Sequence, residues 1–229
     1  MNLQICVAPL AALLADLPQV PGAPEAWLTP SEAARHQGFS WPARRQGYLA
    51  GRWLLRRLLA AATGALAPLE QDAEGRSHCP QWPDWRLALS HSGDWFAAAV
   101  GQGIALGIDI EQPKPGRNLG ALAAGLGLKT TDAASFYRHW TLGEAWLKQG
   151  PGPGLLAVQR QLRWQPDEEG AGRCWYQPEQ ALHLALWAPP PASVRWCPYP
   201  GATGLDWREQ GRWRPASDDP ALNRILNSP

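Results

Sequence analysis

Two carboxylates on one predicted strand are the residues of this sequence whose types and spacing best suit chemistry. Around Asp109 and Glu111, the apolar residues Ile108 and Ile110 alternate with polar ones, which is the period-two pattern of a β-strand. Both carboxylates therefore lie on one strand face, with Cα atoms roughly 7 Å apart. They repel each other and lose hydration there, so a cation is expected between them. Mg²⁺ suits, because it takes oxygen ligands from one or two carboxylates and from substrate phosphates.

A third carboxylate occurs further along the chain, in the segment WTLGEAWLK. Glu144 and Lys148 are four residues apart and therefore share one face of a predicted helix. Such a pair is also typical of an exposed ion pair, and Asp109 is also typical of a residue at a strand end. An exposed pair would not explain why Trp140 and Trp146 flank it.

The elements that must position these residues follow from the hydrophobic periodicity. A turn is predicted at Ser90-His91-Ser92-Gly93-Asp94, between the two strands of a hairpin. A Gly-Pro segment at 150–154 is predicted to end the helix that carries Glu144. We predict strands at 3–10, 85–89, 95–100, around Asp109, 159–164, 173–176, 182–187 and 193–197, and helices from Ser31, at 43–62 and at 132–149.

The order of these elements predicts an α+β fold with two similar halves. Strand, helix and hairpin are followed by strand, helix and meander. We expect residues 1–102 to form an N-terminal subdomain and residues 103–200 a C-terminal subdomain with the metal site. Residues 201–229, rich in Gly, Pro, Asp and Arg, are expected to be a loosely packed tail.

Composition and charge exclude some classes of partner. The chain has 229 residues and a net charge of +1, so no global field selects nucleic acid or an anionic membrane. The fourteen tryptophans are scattered rather than interleaved with a basic stripe, so we predict no nucleic-acid binding. Locally, residues 30–60 contain six arginines against Glu32 alone, which suits either a polyanionic ligand or a solvated helix face.

Cysteine spacing and the N-terminus predict a cytoplasmic protein. The four cysteines contain no Cys-x-x-Cys pair, so free thiols in a reducing compartment are expected rather than a zinc site. No Lys or Arg precedes Arg35, and no apolar stretch is as long as a membrane span, so neither a signal peptide nor membrane association is expected. We expect a monomer.

Three segments together resemble the Sfp-type 4′-phosphopantetheinyl transferases of the holo-carrier-protein synthase superfamily. They are LSHSG at 89–93, GIDIE at 107–111 and WTLGEAWLK at 140–148, in the order found in that family. Residues 28–35 and 44–59 are similar to the family's N-terminal helical region. The family's members arm carrier proteins of peptide, polyketide and fatty-acid synthesis.

The resemblance implies a reaction, a fold and a set of roles. The reaction moves phosphopantetheine from coenzyme A to a serine of an acyl or peptidyl carrier protein, in fatty-acid or secondary metabolism. The fold is a pseudo-twofold pair of similar α/β subdomains with the coenzyme in the cleft between them. Mg²⁺ would be held by Asp109, Glu111 and Glu144. Glu144 is also the favoured base, and Lys148 matches the lysine that contacts the pyrophosphate.

The resemblance also implies which residues bind the phosphates of coenzyme A. His91 offers a ring N–H or a positive charge, and Ser90 adds a hydroxyl. Arg76 stands in the Gly-Arg-Ser segment where the family often has Gly-Lys-Pro, and its guanidinium can grip phosphate with two donors. Arg35 and Arg45 are further candidates for the 3′-phosphate, at looser spacing.

Departures from the family pattern leave other functions open. Gly143 replaces the usual lysine, Ser77 replaces a common proline, and the stretch 112–139, where the family receives its carrier protein, is short and rich in Gly and Ala. A non-catalytic module that binds coenzyme A or a carrier protein is one alternative, and a plain nucleotide-binding protein is another. On helix propensity, Gly143→Lys is expected to stabilise by up to about 1 kcal/mol, and it is expected to lower the Michaelis constant for coenzyme A.

Overall fold

In this computed structural model the chain forms two compact units, which are described separately. The structure describes residues 2–18, 26–129, 132–150, 161–190 and 192–217. The first unit contains Met1–Leu106 and Ala192–Gly204, and the second contains Gly107–Pro191 and Leu205–Pro229. The predicted boundaries were 102/103 and 200/201. The first falls at 106/107, because Ile104 and Leu106 pack against Gly101 of the first unit, and the second differs because Ala192–Gly204 returns to that unit.

Helices and strands follow one another in separate runs, so the predicted α+β class is confirmed. Up to residue 102 they are β1 (Asn2–Pro9), α1 (Leu10–Ala15), α2 (Pro30–Gln37), α3 (Pro42–Thr63), β2 (Glu70–Gln71), β3 (Ser77–His78), β4 (Trp85–Ser92) and β5 (Trp95–Gln102). From residue 107 they are β6 (Gly107–Glu111), α4 (Leu119–Gly125), α5 (Ala133–Lys148), β7 (Leu162–Pro166), β8 (Gly172–Gln177), β9 (Leu182–Trp187), β10 (Ser193–Trp196) and β11 (Arg208–Ser217). Within the described ranges, no helix is both long and apolar enough to span a membrane.

The first unit packs α3 against a four-stranded sheet of order β10-β1-β5-β4. Pro42 stands in the first turn of α3, and Gly64 ends the helix in the left-handed conformation at φ 86°. Leu54, Leu55 and Leu59 of its buried face join the core of this unit. The short strand β10 was predicted in the second half of the chain, but it pairs in parallel with β1.

The predicted hairpin is present, but its turn is shorter than expected. The strands β4 and β5 are joined by Gly93 and Asp94 alone, and Gly93 has φ 56°. A two-residue hairpin loop with glycine first is a favoured geometry. Ser90 and His91 therefore lie in β4 and pair with residues of β5, and the prediction that they belong to the turn is wrong.

The second unit packs α5 against a five-stranded sheet of order β6-β9-β8-β11-β7. Two strand glycines allow the helix to approach closely. A Cβ atom on Gly107 would overlap the carbonyl oxygen of Ala145, and one on Gly172 would lie 2.8 Å from Leu142 Cδ2. The buried core beneath the helix includes Leu142, Ala145 and Cys174.

Part of the predicted tail is a strand of this sheet. β11 pairs with both β8 and β7, with a bulge near Gly211, which has φ 101°. Pro215, which has no N–H, lies where β11 pairs only with β7, so the proline removes no bond to β8. The prediction of a loosely packed segment is thus wrong for 208–217. The predictions for 151–154, 159–160 and 218–229 lie outside the described residues.

Candidate active site

Strand β6 and helix α5 bring the predicted catalytic residues together within the second unit. Asp109 is on the same strand face as Gly107, which α5 covers, and the residue is only 4 % exposed. The Lys148 ammonium donates a hydrogen bond to Asp109 Oδ1 over 2.6 Å. The sequence analysis assigned Asp109 to the metal and Lys148 to the pyrophosphate. In the structure the two side chains contact each other directly.

The carboxyl of Glu144 lies in the electric field of this pair. Burial raises its pKa above the usual value, the charge of Lys148 opposes the rise, and the charges of Asp109 and Glu111 add to it. The net result is a raised pKa, as expected for a carboxyl that has lost hydration beside other carboxylates. Such a group is a stronger base than an ordinary glutamate.

Trp140 is a site residue that the sequence analysis did not assign. Its Nε1–H donates to Glu111 Oε1 over 3.2 Å, and this hydrogen bond holds the second strand carboxylate. Its ring stacks on Phe136, and the Arg117 guanidinium lies 5.5 Å from its centroid. The signal was present in the spacing, because residues 140, 144 and 148 repeat every four positions and share one helix face.

The residues fit a divalent cation by donor type. The charges of Asp109 and Glu111 both raise the pKa of the Glu144 carboxyl, so the three carboxylates are near one another. Mg²⁺ binds oxygen ligands of this kind. Among the described residues, no three His, Cys, Asp or Glu side chains stand close enough to hold a metal ion as they are. Lys148 instead supplies the positive charge at Asp109.

In the first unit, Arg76 lies in the β2–β3 turn and is engaged by acidic neighbours. Its Nε donates to Asp72 Oδ2 over 2.7 Å, and its Nη2 donates to Glu74 Oε2 over 3.1 Å. The hydrogen bond from Arg76 lowers the pKa of the Asp72 carboxyl. Arg35 is exposed on α2, and its Nη2 lies 3.8 Å from where a Cβ on Gly75 would be. The structure thus places two of the predicted phosphate ligands beside one turn.

Arg45 has a local partner at the junction of α2 and α3. Its Nε donates to the carbonyl oxygen of Phe39 over 2.7 Å. This contact ties the loop between α2 and α3 to the first turn of α3.

Two arginines of the basic region are not available to a ligand, and the sequence analysis missed their role. Arg52 and Arg56 both donate to the carboxylate of Glu32, and all three side chains are at most 3 % exposed. Glu32 is also the third residue of a capping box with Thr29 at the start of α2. The spacing of the arginines gave no sign of this network, since Glu32 belongs to a different helix.

Ser90 and His91 lie on opposite faces of β4, as consecutive strand residues must. His91 is exposed and stacks on Phe96, with ring centroids 5.2 Å apart, on the face that α3 covers. Ser90 is buried on the other face. One strand therefore does not offer both groups to the same side.

Comparison with known proteins adds independent information. Residues 33–101 match the family model described as the 4′-phosphopantetheinyl transferase N-terminal domain. The chain is 32 % identical over 168 residues to the 4′-phosphopantetheinyl transferase AcpT of Salmonella typhi, covering 66 % of this chain and 80 % of AcpT. It is 31 % identical over 153 residues to the 4′-phosphopantetheinyl transferase HetI of Nostoc sp., covering 58 % of this chain and 63 % of HetI.

Proposed function

The chain belongs to the 4′-phosphopantetheinyl transferase family, and we propose that it transfers 4′-phosphopantetheine from coenzyme A to a serine of an acyl or peptidyl carrier protein, with Mg²⁺. The observation that carries this proposal is the grouping of Asp109, Glu144 and Lys148 where β6 meets α5. Carboxylates and a lysine beside one another suit the transfer of a phosphoryl group, which needs charge stabilisation and a base.

Asp109, Glu111 and Glu144 are the proposed metal ligands. A bound Mg²⁺ would offset negative charge on the pyrophosphate and leave the phosphorus open to attack. Lys148 would exchange part of its contact with Asp109 for a contact with pyrophosphate oxygen, since an ammonium can serve two acceptors. Trp140 would keep Glu111 in place through its N–H.

Glu144 is the proposed base. A raised pKa makes its carboxylate a better proton acceptor than that of an ordinary glutamate. It would take the proton from the carrier-protein serine hydroxyl. The serine oxygen would then form a bond to the phosphorus of the phosphopantetheine arm, and the P–O bond to adenosine 3′,5′-bisphosphate would break.

Arg35, Arg45, Arg76, Ser90 and His91 are the proposed ligands of the other phosphates of coenzyme A. The nearness of Arg35 to the Gly75 turn supports a shared phosphate site with Arg76. The exposure of His91 supports a role for its ring. Arg45 would have to release the carbonyl of Phe39, and Ser90 would have to act from the opposite strand face.

One observation favours a second candidate function, a non-catalytic module that binds coenzyme A or a carrier protein. The ion pair with Lys148 compensates Asp109 without any metal. A binding module could keep this pair for stability alone.

Thermal unfolding with coenzyme A tests the metal site. A ligand that binds only the folded state raises the melting temperature. We expect coenzyme A to raise it much more with Mg²⁺ than with a chelator, and we expect Asp109→Asn to lose the Mg²⁺-dependent part. Glu169→Gln, which changes an exposed carboxylate of the same unit, should keep it. The metal assignment is wrong if the shift is the same with and without Mg²⁺.

We further propose a monomer that acts in the cytoplasm on carrier proteins of fatty-acid or secondary metabolism. All four cysteines are free, and three of them are buried, which agrees with a reducing compartment. The pseudo-twofold relation of the two halves remains a prediction.

A further inference from the structure

A cavity of about 310 Å³ in the second unit has a lining that is basic and aromatic. Arg138 comes from α5, Arg163 and Trp164 from β7, and Trp213 from β11, while Lys129 precedes α5. No aspartate or glutamate is found among the described residues that line it. The cavity is therefore suited to an anion.

Arg138 is held in a defined position. Its guanidinium lies 4.6 Å from the centroid of the Trp213 ring, and its Nη2 donates to Ser135 Oγ over 3.3 Å. Stacking on an indole leaves the edge of a guanidinium available, and two N–H groups on one edge match the oxygens of a carboxylate or a phosphate.

Two tryptophans of the lining have indole N–H groups with no acceptor in the part of the chain that the structure describes. Trp164 Nε1 and Trp213 Nε1 are buried, and neither donates a hydrogen bond within the described part of the chain. A buried donor without an acceptor is unfavourable by more than a typical hydrogen bond is worth. Because neither nitrogen is accessible to solvent, the two N–H groups can serve as NMR probes beside the cavity but are not ligands of a molecule in it.

This cavity lies away from the proposed transfer site. Strand β11 is the third neighbour of β6 across the sheet, about 14 Å away at the usual strand spacing. On α5, Arg138 precedes Glu144 by six residues, which places it about 120° around the helix axis. The two sites thus use different helix faces and different edges of the sheet.

We propose that this basic-aromatic cavity binds a small planar organic anion, such as an aryl phosphate or an aryl carboxylate. The indole rings of Trp164 and Trp213 would contact the planar body. Arg138 would bind the anionic group, with Arg163 and Lys129 adding positive charge. A cavity of this size has room for an aromatic ring together with its charged group.

Indole N–H resonances test this proposal on the protein alone, with neither Mg²⁺ nor coenzyme A present. A ¹⁵N-labelled sample has fourteen tryptophans to observe, and Trp164→Phe and Trp213→Phe assign the two signals of interest. We expect phenyl phosphate to shift both of them saturably. Inorganic phosphate should bind more weakly, and the neutral benzyl alcohol should not shift them.

Two arginine variants make the test specific. Arg138→Gln should weaken phenyl phosphate binding about tenfold, the value of one hydrogen bond to a charged group. Arg173→Gln is the matched control, because Arg173 also stacks on a tryptophan of this unit, 5.1 Å from Trp175. It should bind like wild type. The spectra show whether each variant is folded, and Arg163→Gln replaces Arg138→Gln if the latter is not.

Three results would overturn the proposal. The first is an absence of shifts at Trp164 and Trp213 with millimolar phenyl phosphate. The second is an equal effect on all indole signals. The third is equal weakening by Arg138→Gln and Arg173→Gln. None of these results bears on the transfer reaction, so the proposal stands or fails separately from the proposed function.

Discussion

The ammonium of Lys148 on α5 lies 2.6 Å from Oδ1 of Asp109 on β6, so a helix cation and a strand carboxylate form one ion pair. Asp109 is buried, whereas a third of the Lys148 side chain is exposed. A buried carboxylate needs a partner more than an exposed lysine does. The pair therefore compensates the charge of a buried strand carboxylate.

Removing the lysine should destabilise the protein. Lys148→Met leaves Asp109 buried without this partner, and we expect the free energy of unfolding to fall by about 2 kcal/mol. Urea denaturation monitored by tryptophan fluorescence measures it. The control is Arg208→Gln, which removes an exposed pair with Asp206 and should have no measurable effect. Equal results for the two variants would show that the buried pair is no stronger than a surface one.

The Glu32 network should be important for the stability of the first unit. Glu32→Gln leaves the buried Arg52 and Arg56 without their carboxylate, and breaking such a network costs about 3–5 kcal/mol. Urea denaturation again measures this. Asp72→Asn, which weakens the half-buried surface pair with Arg76, is the control and should change little. A loss no greater than that of the control would contradict the assignment.

The same network should give the protein a characteristic pH dependence. Burial alone would raise the pKa of Glu32, but hydrogen bonds from Arg56 and the charge of Arg52 outweigh it and hold this pKa below the usual 4.5. The unfolded chain therefore takes up the proton at a higher pH than the folded protein does. This stabilisation is complete above pH 4.5 and is lost as the pH falls through the folded pKa. Glu32→Gln should show a smaller loss of stability below pH 4.5, and an unchanged profile would refute the mechanism.

Gly143→Lys should reduce stability rather than increase it. The sequence-based expectation assumed an exposed helix position, but Gly143 is buried in α5. A buried lysine charge without a partner outweighs the gain from helix propensity, and we expect a loss of about 2–3 kcal/mol together with a loss of transfer activity. The control is Gly120→Ala on the exposed surface of α4, where a Cβ has ordinary room and propensity should dominate. Calorimetric melting of both variants measures these changes in stability. A Gly143→Lys variant that is more stable than wild type would mean that the lysine reaches solvent.

Trp140→Phe should affect the metal rather than the chemistry. The variant keeps an aromatic ring beside Phe136 but loses the N–H that donates to Glu111. We expect the Mg²⁺ concentration for half-maximal activity to rise several-fold, with little change in rate at saturating Mg²⁺. Trp146→Phe on the same helix should leave the Mg²⁺ dependence unchanged. A reduced rate with unchanged Mg²⁺ dependence would contradict this role.

Local patterns predicted the elements of the site well. The alternation around Asp109 and the four-residue spacing of Glu144 and Lys148 were sufficient, because period and side-chain direction are properties of a single element. Helix α3 was predicted at 43–62 and is found at Pro42–Thr63. Strand β9 was predicted with its observed bounds.

Long-range pairing could not be predicted from local patterns. The partner of β10 is β1, nearly two hundred residues earlier, and nothing in either segment specifies this pairing. Strand β11 contains Gly211 and Pro215, whose local preferences oppose a strand, and only its sheet neighbours make it one. Likewise, the burial of Arg52 depends on Glu32 of another helix.

The transfer of phosphopantetheine itself is the most direct test of the account. The protein is incubated with Mg²⁺, coenzyme A and a panel of apo-carrier proteins, and each carrier is weighed by mass spectrometry. We predict a gain of one phosphopantetheine group on at least one carrier, lost in Glu144→Gln and in Asp109→Ala but kept in Glu169→Gln. Full activity of Glu144→Gln would contradict the assignment of the base. Coenzyme A binding without a mass gain on any carrier would contradict the transferase and favour the binding module.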